Sequence, residues 1–265
     1  MLLTRALSAL ALAPLVIVLI VIGGWALSGA LLIVLGIAAW EYVRLMERGN
    51  FRPAWGIALA LIATLLVDPL LPQASLAPAA ISLALIVSLV WHTAHRTPTV
   101  TADWALTVAG GLYLGWAGRH FVLIRSFAQG AAWLVIVLSG VWLADSGAYL
   151  VGTRWGRHKM TPTLSPQKSW EGLIGGVATG VAGNGLLAAA LGLPPAHGAA
   201  LGLIGATLGT LGDLSVSMMK RQVGAKDSGQ LIPGHGGALD RIDSLLFAVI
   251  AGYLYLTWLA GLSPA

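Results

Sequence analysis

From Ser217 to Asp243 the chain reads SMMKRQVGAKDSGQLIPGHGGALDRID, gathering Lys220, Arg221, Lys226, Asp227, His235, Asp240, Arg241 and Asp243 where only 9% of all residues are charged. Cations, carboxylates and a glycine-rich turn placed together suit a metal ion and a phosphate ester. Asp240 and Asp243 are three residues apart. On a helix that spacing puts both on one side of the first turn, where two carboxylates repel unless a cation lies between them. Hard oxygen donors in a chain without cysteine point to Mg²⁺ rather than zinc. Gly234, Gly236 and Gly237 flank His235 and free the backbone for close approach to a ligand. Taken singly, these residues have plainer readings. Aspartates complement a helix dipole, and His235 could be a hydrogen-bonded turn residue. Clustered with Lys220, Arg221 and Lys226 in one short segment, they read better as a site.

Two further acids stand out because they lie inside apolar stretches. Asp145 falls within the sixth apolar span and Asp213 within the eighth. A carboxylate in a membrane span costs on the order of 3 kcal/mol and needs a partner or a wet cavity. For Asp213 a functional site is the stronger reading, against an ion pair with Lys220. Asp145 divides evenly, because Tyr149 four residues on could hydrogen-bond it. A second polar patch precedes the seventh span. Thr153–Lys159 is basic, with Arg154, Arg157 and Lys159 reading as solvated loop cations. Ser165 and Pro166 are expected to form an N-cap and first helical residue. Lys168 would then lie in the first turn, where free N–H groups also favour an anion, as a phosphate ligand.

The elements that must position these groups are apolar helices. Mean hydropathy is +0.84 and 57% of residues are hydrophobic, while soluble proteins carry about a quarter charged residues. The spacing predicts an all-α, polytopic integral membrane bundle of about nine transmembrane helices, near residues 6–23, 25–45, 55–71, 76–92, 102–118, 131–151, 171–191, 196–219 and 242–260. A closed barrel would need alternating ten-residue segments, which are absent. With the N-terminus cytoplasmic, 13 of the 15 Lys and Arg residues fall inside, leaving Arg119 and Arg125 outside. The first span, after Arg5, is longer than a secretory h-region of about 7–15 residues and is expected to be retained. Residues 1–128 are expected to supply packing helices, and residues 129–265 a catalytic region with its site at the cytoplasmic face. Glu41, Glu47 and Asp68 read as ordinary juxtamembrane or loop residues. Gly172, Gly176 and Gly180, then Gly198 and Gly202, then Gly205 and Gly209, recur every four residues. That spacing lets helices approach closely in a bundle, or in a homodimer interface. The net charge of +5 fits an anionic lipid surface rather than nucleic acid.

With these residues in view, the chain resembles the phosphatidate cytidylyltransferases, or CDP-diacylglycerol synthases. Their signature runs S-x-x-K-R-x4-K-D-x-G-x2-[LIF]-P-x-H-G-G-x2-D-R-x-D. Here Ser217, Lys220, Arg221, Lys226, Asp227, Gly229, Ile232, Pro233, His235, Gly236, Gly237, Asp240, Arg241 and Asp243 fall in register. Gly212-Asp213 precedes it, and Asp145–Tyr149 with Gly152, and Ser165-Pro166-x-Lys168-x-x-Glu171-Gly172, resemble the family's other segments. The likeness covers closely about the last 120 residues. Ala238 stands where the family has a larger aliphatic residue, and Gln167 leaves out one cation.

The resemblance implies a Mg²⁺-dependent reaction of CTP with phosphatidic acid, giving CDP-diacylglycerol and pyrophosphate, at a bacterial plasma membrane. It assigns Asp213, Asp240, His235, Lys220 and Lys168 to catalysis. Asp213 and Asp240 would hold Mg²⁺, with Asp243 and Asp145 auxiliary and a second ion left open. Ser165, Lys168, Ser217, Lys220, Arg221, Lys226, Asp227, Gly236, Gly237 and Arg241 would contact the substrates. An ionised phosphate monoester is already a nucleophile, so His235 orients or donates rather than serving as an obligatory base. A CDP-alcohol phosphatidyltransferase is disfavoured, since its last two aspartates stand four apart and its D-G-x2-A-R motif is missing. A cation-coupled transporter is disfavoured because the acids gather at one face without an inverted repeat.

Overall fold

The computed structural model describes residues 14–229 and 236–263. His235 and the first half of the first expected span lie outside the described residues. Within them, helices run over residues 14–22 (α1), Gly24–Arg48 (α2), Trp55–Val67 (α3, extended by a 3₁₀ turn at Asp68–Leu70), Leu76–His95 (α4), Val100–Arg125 (α5), Gly130–Trp155 (α6), Trp170–Ala190 (α7), Pro195–Gln222 (α8) and Leu239–Trp258 (α9). Among the described residues the architecture is all-α apart from one two-stranded ribbon. Five helices, α2, α4, α6, α7 and α8, are long and apolar enough to cross a membrane. A multi-pass membrane protein is therefore the class, as hydropathy indicated.

Helix α5 is longer than the expected 102–118. It spans 26 residues and carries Arg119 and Arg125 on its last turns rather than in a loop. Its glycines do not break it. They serve close packing instead: a Cβ at Gly111 would press on the Ala58 backbone, and one at Gly115 on Ile62.

The chain forms two compact units. One comprises residues through Leu123 together with Gln222–Arg241; the other comprises Ile124–Arg221 and the residues from Ile242 on. In the first unit, Leu61, Leu65, Ala77, Ala80 and Ala84 form a buried apolar cluster. Asp68, read from sequence as an ordinary loop residue, is 5% exposed there. It accepts from Arg119 Nε at 2.7 Å and from the Ala77 N–H at 2.8 Å, so it pins the α3–α4 turn to α5.

In the second unit the glycine stripes of α7 and α8 meet other helices of the same unit. A Cβ at Gly176 would strike the Ala144 carbonyl, one at Gly180 the Gly202 carbonyl, and one at Gly205 the Gly140 backbone. Bundle packing is what these stripes do. Gly202→Val is expected to push α7 and α8 apart, because its Cβ would land on the Gly180 carbonyl oxygen. Overpacking of this kind costs about 1–3 kcal/mol. The checking measurement is a lowered unfolding temperature in detergent with the helical signal otherwise retained.

The segment before α7 departs from expectation. Ser165–Ser169 is a strand (β2), paired antiparallel with Lys159–Thr161 (β1), with Lys159 opposite Ser169 and Thr161 opposite Ser165. Helix α7 starts only at Trp170, and its N-cap is Ser169, whose hydroxyl accepts from the Gly172 N–H at 3.2 Å. Two local rules conflict in this sequence. A serine–proline pair can open a helix, but the residue before proline is driven out of the α region. Pairing with β1 decides for the extended form and moves the cap four residues on.

Candidate active site

Strand β2, not a helical turn, carries Lys168. Its ammonium lies 2.7 Å from Asp213 Oδ2 and donates to the Thr210 carbonyl at 3.4 Å, both on α8. Asp213 Oδ1 in turn accepts from the Ser217 hydroxyl one turn on, at 3.2 Å. The partner foreseen for an ion-paired Asp213 was Lys220; the structure supplies Lys168. Asp145 on α6 completes the cluster, since the charges of Lys168 and Asp213 both act on it. Tyr149, the alternative partner, is 71% exposed. Three segments separated in sequence thus bring one ammonium to two carboxylates.

The hairpin that offers Lys168 is tied at both ends. Glu171 accepts from the Arg157 and His158 N–H groups at 3.2 Å and lies 2.5 Å from His158 Nδ1. Arg221 Nε donates to the Leu164 carbonyl at 3.4 Å. Arg221, expected on substrate, therefore also braces the hairpin tip. Ser165 sits on β2 opposite Thr161, three residues before Lys168. Lys220 and Ser217 are buried on α8, whereas the three cations read from sequence as loop residues are exposed, Arg154 on the last turn of α6, Arg157 beyond it and Lys159 on β1. Asp243 is 6% exposed, and its Oδ1 accepts from the Ser244 N–H at 2.7 Å. A Cβ at Gly212 would meet the Asp243 carbonyl oxygen, so α8 and α9 touch through backbone directly beside Asp213.

The first unit holds the other polar group. Lys226 and Asp227 are exposed, and Ser228 is buried. Asp240 Oδ2 accepts from the Ser228 N–H at 2.9 Å, the Ser228 hydroxyl at 2.9 Å and the Gly237 N–H at 3.1 Å. Gly236 takes φ 79°, the left-handed region that glycine enters without strain. The Arg241 N–H bonds the Ala238 carbonyl as α9 begins, and the Arg241 side chain is exposed. Asp240 thus folds the segment on either side of the undescribed residues back onto itself.

Glu41 is the residue that sequence reasoning passed over. It is 2% exposed on α2, and its Oε2 accepts from the Leu239 N–H at 2.9 Å and the Ser228 hydroxyl at 3.1 Å. Its sequence setting, Trp40-Glu41-Tyr42-Val43 inside an apolar run, carried the signal. The insertion cost that marked Asp145 and Asp213 applies equally to a glutamate there.

Comparison with known proteins identifies the family. The model of the cytidylyltransferase family matches residues 3–259. A phosphatidate cytidylyltransferase of Pseudomonas aeruginosa is 36% identical over 243 residues, 86% of each chain. One of Brucella suis is 42% identical over 149 residues, 56% of this chain and 55% of that protein. One of Mycobacterium bovis is 42% identical over 132 residues, 49% of this chain and 43% of that one. The matched part thus spans about half the length of the Brucella and Mycobacterium relatives and most of the Pseudomonas one. With the family model covering nearly the whole sequence, this chain belongs to the cytidylyltransferase family.

Proposed function

We propose that the protein transfers a cytidylyl group from CTP to phosphatidic acid, giving CDP-diacylglycerol and pyrophosphate. The reaction takes place at the cytoplasmic face of a bacterial plasma membrane that the chain crosses nine times from a cytoplasmic N-terminus. The observation that carries this reading is the Lys168–Asp213 pair beside Asp145, in a chain whose relatives are named phosphatidate cytidylyltransferases. In the proposed topology 13 of 15 basic residues share the side on which this pair lies. Residues 129–265 supply most of the reacting groups, and residues 1–128 the packing that supports them.

The reaction joins two anions. A phosphate oxygen of phosphatidic acid attacks the α-phosphorus of CTP, a new P–O bond forms, and the bond to the β-phosphate breaks to release pyrophosphate. Positioning and charge neutralisation dominate such a transfer, since the nucleophile needs no activation by a strong base. Lys168 would exchange Asp213, 2.7 Å from its ammonium, for a phosphate oxygen. Arg221, Lys220 and Lys226 provide further cations, and Ser165, Ser217, Asp227, Gly236, Gly237 and Arg241 line the bound substrates. His235 orients or donates a hydrogen bond.

The donors present suit Mg²⁺. Among the described residues no three acidic or histidine side chains gather tightly enough to hold a metal alone. Mg²⁺ is ordinarily held by one or two carboxylates with substrate phosphates rather than by an all-protein cage. Asp213 and Asp240 would hold it, with Asp145 and Asp243 as auxiliary oxygens. When bound it would neutralise developing phosphate charge.

Purified protein incubated with labelled CTP, phosphatidic acid and Mg²⁺ is expected to place cytidine label in the lipid phase and lose it in excess chelator. Label that stays in water despite folded protein rejects the reaction, and rejects it in favour of a transporter if ion flux is found. Lipid labelling that persists in chelator rejects the metal.

A further inference from the structure

We propose that Glu41 is a positioning residue, which acts through Ser228 and the start of α9 to hold Asp240 in its working orientation. The inference rests on the proposed function for what Asp240 does, and on the structure for what Glu41 touches. Helix α9 opens at Leu239, and the residue before it is Ala238, whose methyl cannot accept a hydrogen bond. The first N–H groups of a helix need an outside acceptor. Glu41, nearly 200 residues earlier in the chain, provides it: Oε2 takes the Leu239 N–H at 2.9 Å.

The same Oε2 meets the Ser228 hydroxyl at 3.1 Å, and Asp240 Oδ2 meets that hydroxyl at 2.9 Å. One hydroxyl proton is thus shared between a carboxylate buried on α2 and the carboxylate assigned to the reaction. Steric fit points the same way. A Cβ at Gly229 would collide with Glu41 Oε1, and one at Gly237 with Glu41 Oε2. These two glycines are small because the Glu41 carboxylate fills the space beside them. Glu41 therefore fixes both flanks of the segment, Ser228–Gly229 and Gly237–Leu239, between which Asp240 makes its own three bonds.

The test uses the full chain in detergent with Glu41→Gln, Glu41→Ala, Ser228→Ala and the double variant Glu41→Ala/Ser228→Ala. Glu41→Ala is expected to lower kcat about 10–100-fold, with KM for phosphatidic acid unchanged. Glu41→Gln, which keeps an acceptor for Leu239, should recover a large part of that loss. Glu41→Ala and Ser228→Ala should combine to much less than the product of their separate effects, as neighbours in one network do. Hydrogen exchange supplies a readout free of turnover: amides at Ser228 and Gly237–Leu239 should exchange faster in Glu41→Ala, with α6–α8 unchanged. Normal exchange at those amides overturns the proposal, as does a kcat loss that multiplies fully with Ser228→Ala. Should Glu41→Ala not fold, Glu41→Gln and Ser228→Ala carry the same comparison. If the wild-type protein makes no lipid-linked cytidylate, the functional reading fails, while the exchange data still decide whether Glu41 holds the segment.

Discussion

Replacing Asp213 by Asn is expected to reduce kcat by about 10²–10³-fold, the loss typical when one preorganised charge is taken from a transition-state site. Asparagine keeps the shape and leaves an acceptor for Ser217, whose hydroxyl lies 3.2 Å from Oδ1. What disappears is the negative charge 2.7 Å from the Lys168 ammonium and beside Asp145. The pair is only partly shielded, with side-chain exposures of 23% and 32%, so its loss should change stability by about 1 kcal/mol or less. Activity and stability are therefore expected to separate. Initial-rate assays beside thermal unfolding in the same detergent decide the matter. A variant that turns over at the wild-type rate removes Asp213 from the chemistry.

Asp240→Asn should produce a kinetic loss of similar size by a different route. Oδ2 of Asp240 gathers three donors, two from Ser228 and one from Gly237. An asparagine can turn its carbonyl oxygen toward those donors and keep the segment closed, though bonds to a neutral acceptor are about half as strong. Its amide nitrogen then replaces the remaining carboxylate oxygen and cannot ligate a cation. Asp240→Ala leaves all three donors without this acceptor and should lose fold as well as rate. The contrast is the informative part. If Asn and Ala are equally inactive and equally unstable, Asp240 is architectural; if Asn is stable and inactive, its charge serves the reaction.

The site was legible where its residues are close in sequence and their types are costly in a membrane. Asp213 stood out by its cost inside a span, Asp240 by its spacing from Asp243, and Lys168 by an expected helix start that the structure replaces with a strand; Lys168 pairs with Asp213, and Asp240 accepts from Ser228 and Gly237. The conformation around Lys168 was not legible. Ser165-Pro166 satisfies a helix-start rule and an extended-chain rule at once, and only the β1 strand arbitrates. Nor was the Lys168–Asp213 pair, because Lys220 is on the same helix as Asp213 and was the nearer candidate in sequence.

Composition and periodicity alone determined that this chain is a bundle of membrane helices, because burying backbone in lipid allows few other solutions. Fixed gaps between charged residues determined the family. Tertiary structure decided which acid meets which donor. Glu41 reaches Ser228 across 187 positions, and Asp68 reaches Arg119 across 51. A hydrogen bond acts over about 3 Å in space and carries no trace of its partner along the chain. The cost of a buried carboxylate can be read from one residue, but its partner can be read only from the fold.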